Sequence, residues 1–455
     1  MKILLISPST EKSIPLNLGY VGSFLSNFYD IKILNLGLYQ NYKKFLHEIK
    51  KFDPDIVGIS CVTPTFEEGL KIAKFCKELN PNVKIVFGGI HPSVMPLETL
   101  QNENVDFVIR GEGEYSMLSL VKNLERGKIS SIRGVCGKYN GKLFVNERSP
   151  FIENLDAIPI PHTILELEKY KISKCPKEPP YNSAYVLSSR GCPFNCIYCS
   201  LPIIMGHKCR YHSIKRVIEE LNYLRNEKGI RSIRFVDANF NIHKKRVIKL
   251  CKEMIKEKLD INWVCNAHVN FADKEVLTWM KRAGCVLINY GIESASQKIL
   301  NNARKNIKID QIIATLKLTK KIGIGCVGYF MFGLPGESKD TAMLTIQFAK
   351  SFEFKHVYFS LAIPFPGTKL YEWAKRNNYL ISEKWSDYIT NVPLIRTPLL
   401  GEQDLKNILT RAYLEFYFPR HLKKLFSQLR GVKDLIKMFS VPQKILKQNF
   451  LKNCI

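Results

Sequence analysis

Cys192, Cys196 and Cys199 place three thiols within eight residues, in the run Ser188-Ser-Arg-Gly-Cys192-Pro-Phe-Asn-Cys196-Ile-Tyr-Cys199. Cluster iron prefers thiolate. Three ligands from one short loop leave the fourth iron of a 4Fe-4S cubane without a protein ligand, open to a small molecule. Gly191 and Pro193 suit the tight turn this requires. The competing chemistry is structural zinc, which needs a fourth donor, and Cys209, His207 and His212 follow closely enough to offer one. Downstream, Asp237 and Glu293 end predicted strands, where a carboxylate either accepts hydrogen bonds from a ligand or caps the following helix. Gly333, Pro335 and Gly336 form a turn in which backbone approaches a ligand closely, or an ordinary strand-to-helix loop.

The elements that must position these groups form two alternating series. In the first, Lys2–Ser7, Ile31–Leu36, Asp55–Ser60, Val83–Gly88 and Asp106–Ile109 read as nearly continuous apolar strands separated by helical patterns. This is an α/β, doubly wound parallel sheet over residues 1–130. In such sheets ligands bind outside the carboxyl ends of the strands, so the loops after Ser7, Ser60, Gly88 and Ile109 are the informative ones. Residues 131–183 read as a β-rich connector and proline-bearing linker. Residues 184–400 give about six strand–helix units, with strands starting at Ala184, Ser232, Ile261, Cys285, Cys326 and His356, which predicts an open parallel barrel with active groups at the strand ends. Residues 401–455 form a helical extension: Leu422, Leu425, Phe426, Leu429, Val432 and Ile436 recur at helical spacing beside Lys423, Lys424, Arg430, Lys433 and Lys437. A helix packed on the barrel and peripheral contact with a membrane surface both fit this pattern.

Composition narrows the class. The 13 cysteines are an odd number scattered over a long chain, which argues for reduced thiols rather than a secreted disulfide framework. No extended signal-type apolar region opens the sequence and no stretch reads as a membrane span, so a cytoplasmic protein is expected. The net charge of +27 reflects lysine abundant throughout the chain, so by itself it is no footprint for nucleic acid.

The C-x3-C-x2-C spacing, with the aromatic Tyr198 before the third cysteine, resembles the radical S-adenosylmethionine (SAM) superfamily. Phe235-Val-Asp-Ala-Asn-Phe240, Tyr290-Gly-Ile-Glu-Ser294, Phe332-Gly-Leu-Pro-Gly-Glu337 and Pro364-Phe-Pro-Gly-Thr368 match it in order along the barrel. The resemblance implies that SAM chelates the unique iron and is cleaved to a 5'-deoxyadenosyl radical, with Tyr198 near the adenine and Asp237, Glu293, Ser294 and Gly333 near SAM. Four N-terminal pieces, Pro15-Leu-Asn-Leu-Gly-Tyr20, Asp53-Pro-Asp-Ile-Val-Gly-Ile-Ser60, Gly88-Gly-Ile-His-Pro92 and Gly111-Glu-Gly-Glu114, resemble the cobalamin-binding domain that precedes the barrel in one branch. That likeness implies a corrinoid cradle involving Ser60, Thr63, Gly88, Gly89, His91 and Glu112. The loop after Ser7 lacks the histidine that ligates cobalt in methionine-synthase-like domains, and His91 reads as a loop or corrin-contact residue ahead of a cobalt ligand.

The resemblance further implies methylation of an unactivated carbon through the radical and methylcobalamin, on a small-molecule or lipid substrate. An external electron donor such as flavodoxin or ferredoxin would be needed. An oxidative cyclase of the anaerobic magnesium-protoporphyrin ester type is the alternative within the same architecture. A methylthiotransferase of transfer RNA fits less well, because the N-terminal domain offers only Cys61, Cys76 and Cys136 in place of extra cluster cysteines. No individual catalytic side chain is assigned from the sequence.

Overall fold

The computed structural model describes residues 1–124, 129–139, 141–170 and 184–428, with side chains described up to residue 419. The first sheet contains β1 (Lys2–Ser7), β2 (Asp30–Asn35), β3 (Ile56–Ser60), β4 (Lys84–Gly88), β5 (Phe107–Ile109), β6 (Val135–Tyr139) and β7 (Lys142–Val145), in the order β2-β1-β3-β4-β5-β6-β7. β1 to β5 are parallel, and β6 and β7 add an antiparallel hairpin to the edge. The hairpin that the sequence assigned to a connector therefore continues the first sheet. Its pairing lies across strands, where local periodicity carries no information.

Both faces of this sheet are covered. Leu4, Ile6, Val57, Ile59, Ile85 and Phe87 pack on one side, and Ile3, Leu5, Ile56, Val86 and Phe107 on the other. Cys61, Cys76 and Cys136 are buried in the first of these cores, and burial pushes the Cys76 thiol up to about 12. They are packing residues, not extra cluster ligands.

The second sheet contains β8 (Ala184–Val186), then, after the short pair β9 (Ser189–Arg190) and β10 (Arg210–Tyr211), β11 (Ser232–Phe235), β12 (Asn262–Ala267), β13 (Cys285–Glu293), β14 (Gly325–Phe332) and β15 (His356–Leu361). Its six parallel strands run in the order β15-β14-β13-β12-β11-β8, so each consecutive strand pairs with the one before it, as in an open barrel. Alternate residues such as Ile233, Phe235, Cys265, Ile288, Phe330 and Phe359 face the surrounding helices. Their neighbours Arg234, Val264, Asn266, Asn289, Tyr329 and Tyr358 point into the lumen, as the two-residue period of a strand dictates. The first strand ends at Val186, where the chain turns to build the β9–β10 hairpin beside the cysteine loop.

The helix Glu402–Gln428 closes the barrel beyond β15: the Tyr413 and Tyr417 hydroxyls accept from the Phe359 and Val357 amides and donate to their carbonyls. The predicted amphipathic face of the tail lies beyond the described side chains, and residues 429–455 lie outside the described residues altogether. Among the described residues no helix is long and apolar enough to cross a membrane.

Candidate functional site

The cysteine loop leaves the β9–β10 hairpin and is fastened on three sides. The Cys192 amide donates to the Gly206 carbonyl, the Ile197 amide to the Ala303 carbonyl, and the Ile197 carbonyl accepts from the Leu370 amide. Gly191 has φ +99, and a Cβ there would meet the Lys208 carbonyl oxygen at 2.2 Å, so this turn requires glycine. Phe194 stacks on His268, with ring centroids 4.1 Å apart. Burial raises all three thiols, Cys199 to about 11, and each lies within electrostatic range of the other two. Among the described residues no three His, Cys, Asp or Glu side chains surround a single point tightly enough for one metal ion. Three thiols from one loop suit a polynuclear cluster, in which each takes its own iron. Two of the zinc donors considered above have partners of their own. Cys209 Sγ donates to the Gly191 carbonyl at 3.8 Å, and buried His212 pairs through Nδ1 with Asp156 at 3.2 Å.

Two polar groups that sequence reasoning missed face the thiols. Lys305 Nζ lies 2.8 Å from Glu293 Oε1 and is nearly buried. Burial opposes its charge, but Glu293 and the Cys196 and Cys199 thiols outweigh that and hold its pKa above the usual lysine value. Asn239 Nδ2 donates to Cys192 Sγ at 3.6 Å. A buried ammonium and an amide donor beside three sulfurs are what an anionic thiolate cluster needs. Lys305 sits in the plain stretch Asn-Ala-Arg-Lys-Asn, which carries no signal in the sequence.

The carboxylates at the strand ends divide. Glu293 closes β13 with φ +67, a conformation a non-glycine residue holds only where the surroundings over-determine it. The Tyr198 hydroxyl is buried and lies against Glu293 and Cys196, beside the cysteine loop. Asp237, by contrast, is fully buried. It accepts from the Ser188 amide at 2.8 Å, the Ser188 hydroxyl at 2.7 Å and the Ser189 hydroxyl at 2.5 Å. That corrects the expectation of direct SAM contact: Asp237 positions the loop that leads to the cysteines. Ser294 is likewise turned inward, with its hydroxyl on Thr345 and the Ser296 amide. Gly333, at φ +88, donates its amide to Glu337, and its open face meets Leu405 of the C-terminal helix. It shapes the loop instead of facing the lumen.

A cavity of about 300 Å³ lies between the carboxyl edge of the first sheet and the barrel. Leu5, Gly58, Val86 and Met117 line its depth, and Ser60, Gly88, Gly89 and Gly111 its rim. Leu187, Arg190, Val236 and Met205 roof it from the second half of the chain. Ser60 Oγ accepts from Asn17 at 2.7 Å, and a Cβ at Gly88 or Gly111 would meet nothing within 4 Å, so bare backbone faces open space. Gly89, at φ +90, presses on the Cys61 backbone, where a Cβ would come within 2.5 Å of the carbonyl oxygen.

Two cradle expectations are corrected, and a third residue has its carboxylate engaged. His91 is wholly buried between Phe66 and Trp385, with ring centroids at 4.3 and 5.1 Å, and its Nδ1 meets Thr63 Oγ1 at 3.3 Å, so neither His91 nor Thr63 reaches the cavity. Burial pushes His91 down to about 4. Glu112 touches the cavity, but its carboxylate is occupied by Arg190 at 3.1 Å, by Arg210 at 2.8 and 3.0 Å, and by the Ile152 amide at 2.7 Å. Arg190 also reaches Glu114 at 2.6 Å and stacks its guanidinium over Tyr20 at 4.9 Å. This buried ion network joins the first sheet to the residue two places before Cys192.

Comparison with known proteins places this arrangement. The Radical SAM superfamily matches residues 186–349 and the B12 binding domain residues 3–121. An uncharacterized methyltransferase of Pyrococcus horikoshii is 37% identical over 96% of this chain and 99% of its own length. The anaerobic magnesium-protoporphyrin IX monomethyl ester cyclase of Rubrivivax gelatinosus is 28% identical over 85% of this chain and 69% of its own. The fold is shared with the radical SAM methyltransferase TsrM of Kitasatospora setae, solved with cobalamin and a [4Fe-4S] cluster bound, at a TM-score of 0.73, 17% identity and 90% coverage of both chains. The protein belongs to the radical SAM superfamily, in the group whose barrel follows a B12-binding domain.

Proposed function

We propose that this chain is a cobalamin-dependent radical SAM C-methyltransferase acting on an unactivated carbon of a small molecule. One observation carries the reading: the cavity at the edge of the B12-binding sheet is roofed by Leu187, Arg190 and Val236, and Arg190 lies two residues from Cys192. Residues that would hold the corrinoid and residues that would hold the cluster are thus only a few positions apart. When bound, the cluster supplies a low-potential electron for cleaving SAM and the corrinoid supplies a transferable methyl group.

The residues then divide the work. Cys192, Cys196 and Cys199 would hold the cluster, with Lys305 offsetting its charge and Asn239 donating to the first sulfur. Glu293 and Tyr198 would bind SAM, and Asp237 fixes the Ser188–Ser189 turn. Ser60, Gly88, Gly89 and Gly111 would cradle the cobalamin tail against the apolar depth formed by Leu5, Gly58 and Met117. The Glu112–Arg190–Arg210 network excludes water from one side. An external one-electron donor of the flavodoxin or ferredoxin kind completes the requirement.

The test is anaerobic reconstitution with iron, sulfide, cobalamin and reductant, followed by quantifying 5'-deoxyadenosine and S-adenosylhomocysteine, against Cys192→Ala. Both products, lost in the variant, are expected. Deoxyadenosine alone would move the reading to the cyclase class, and neither product would overturn it.

A further inference from the structure

The lumen of the barrel carries a second recognition feature, below the cysteine loop. Arg234 projects inward from the middle of β11, since Ile233 and Phe235 on either side face the outer helices. It is half-buried and faces Tyr329 of β14 across the lumen, close enough for the two side chains to interact. Among the described residues it has no carboxylate partner, whereas the buried arginines Arg190, Arg210 and Arg216 all have one. Tyr329 and Tyr358 stack in parallel, with ring centroids 4.9 Å apart and planes 14° apart, on a floor of Val264, Leu287 and Val327. Above them Asn289 donates to Asn266 at 3.0 Å, and Asn266 to the Asp237 carbonyl at 3.2 Å, which ties this layer to the strand end that positions the cysteine loop.

A partly desolvated guanidinium without a counter-charge is a binding group for an oxyanion, and its planar fork suits carboxylate or phosphate. Stacked phenol rings on an aliphatic floor take a flat, apolar body. We propose that the lumen binds the substrate by an anionic carboxylate or phosphate group on Arg234, with a planar or ring-bearing portion against Tyr329 and Tyr358. This names the substrate class of the methyl transfer proposed above and rests on that reading for its purpose, though not for its test.

Holoenzyme carrying cluster and cobalamin is equilibrated by dialysis with phenyl phosphate, with benzoate and with neutral benzyl alcohol. The anions are expected to bind more tightly than the alcohol. Arg234→Gln should weaken them by about tenfold or more, the scale of one charge-assisted hydrogen bond, while leaving the alcohol within about twofold. Arg234→Lys should retain part of the anion affinity, and Tyr358→Leu should weaken all three probes. The tighter of the two anions distinguishes phosphate from carboxylate. Equal binding of anion and alcohol to the unaltered protein, an unchanged anion affinity in Arg234→Gln, displacement of the anions by SAM, or no retention of any probe would each overturn the proposal. Because dialysis requires no turnover, failure of methyl transfer is read separately, from the products of the reconstituted reaction.

Discussion

Arg190 Nη2 and Glu114 Oε1 meet at 2.6 Å with both side chains about 95% buried, and they belong to different halves of the chain. Burial disfavours the guanidinium's charge, yet Glu114 and Glu112 outweigh it and raise its pKa. Breaking a buried pair by removing one partner is costly, because the other charge is stranded. Arg190→Met is therefore expected to destabilise the protein by about 3–5 kcal/mol in urea unfolding. The double variant Arg190→Met/Glu114→Gln should recover part of that loss. Equal stability of Arg190→Met and the parent protein would show that the network contributes little.

Lys305 offers a second test. In Lys305→Met the Glu293 carboxylate loses its counter-charge beside thiols that must ionise to bind iron. Lower iron and sulfide per chain after reconstitution is expected, with SAM cleavage reduced about tenfold, equivalent to roughly 1.4 kcal/mol in the barrier. Lys305→Arg should keep most of the iron, and Lys305→Met/Glu293→Gln should regain thermal stability without regaining cleavage.

Gly89→Ala separates the two cofactors. Its Cβ would sit 2.5 Å from the Cys61 carbonyl oxygen in a backbone held at φ +90, a strain of about 1–3 kcal/mol. Cobalamin retained after gel filtration should fall, while iron content stays at the parent level. Loss of both together would mean that the strain spreads into the barrel.

Acid should loosen the packing between the halves. Burial lowers His91 to about 4. His212 is also lowered to about 4, by burial and then by Arg216, against the opposing effects of Glu220 and Asp156. The unfolded chain protonates near 6.5, so it takes up protons first. Stability is then full above that value and declines as pH falls toward 4. Melting curves at pH 7 and pH 5 should show the decline, and His91→Phe should make it shallower.

Much of this was legible in the sequence, for reasons that can be named. The strands from Lys2 to Ile109 and from Ser232 to Leu361 announce themselves because sheets covered on both faces need continuous apolar runs. The cysteine triplet is legible because its chemistry is set by spacing within one loop. The roles of Asp237, Ser294, Glu112 and His91 were not legible. Each is decided by partners from another part of the chain: Ser188 for Asp237, Thr345 for Ser294, Arg210 for Glu112 and Trp385 for His91. Lys305 and Arg234 escaped notice for the same reason, since a lysine in a polar stretch and an arginine within a strand become informative only when the lumen and loop facing them are known.

The contact between Trp385 and the first half has an implication for biosynthesis. The indole covers His91 and donates from Nε1 to Glu98 Oε1 at 2.6 Å, joining positions 287 residues apart. The ribosome releases the N-terminal sheet long before it makes this tryptophan, so during translation His91 is left without its cover. Final closure over that surface waits until Trp385 has left the ribosome, and a nascent chain arrested ahead of position 385 should present the uncovered imidazole and Phe66 to chaperones.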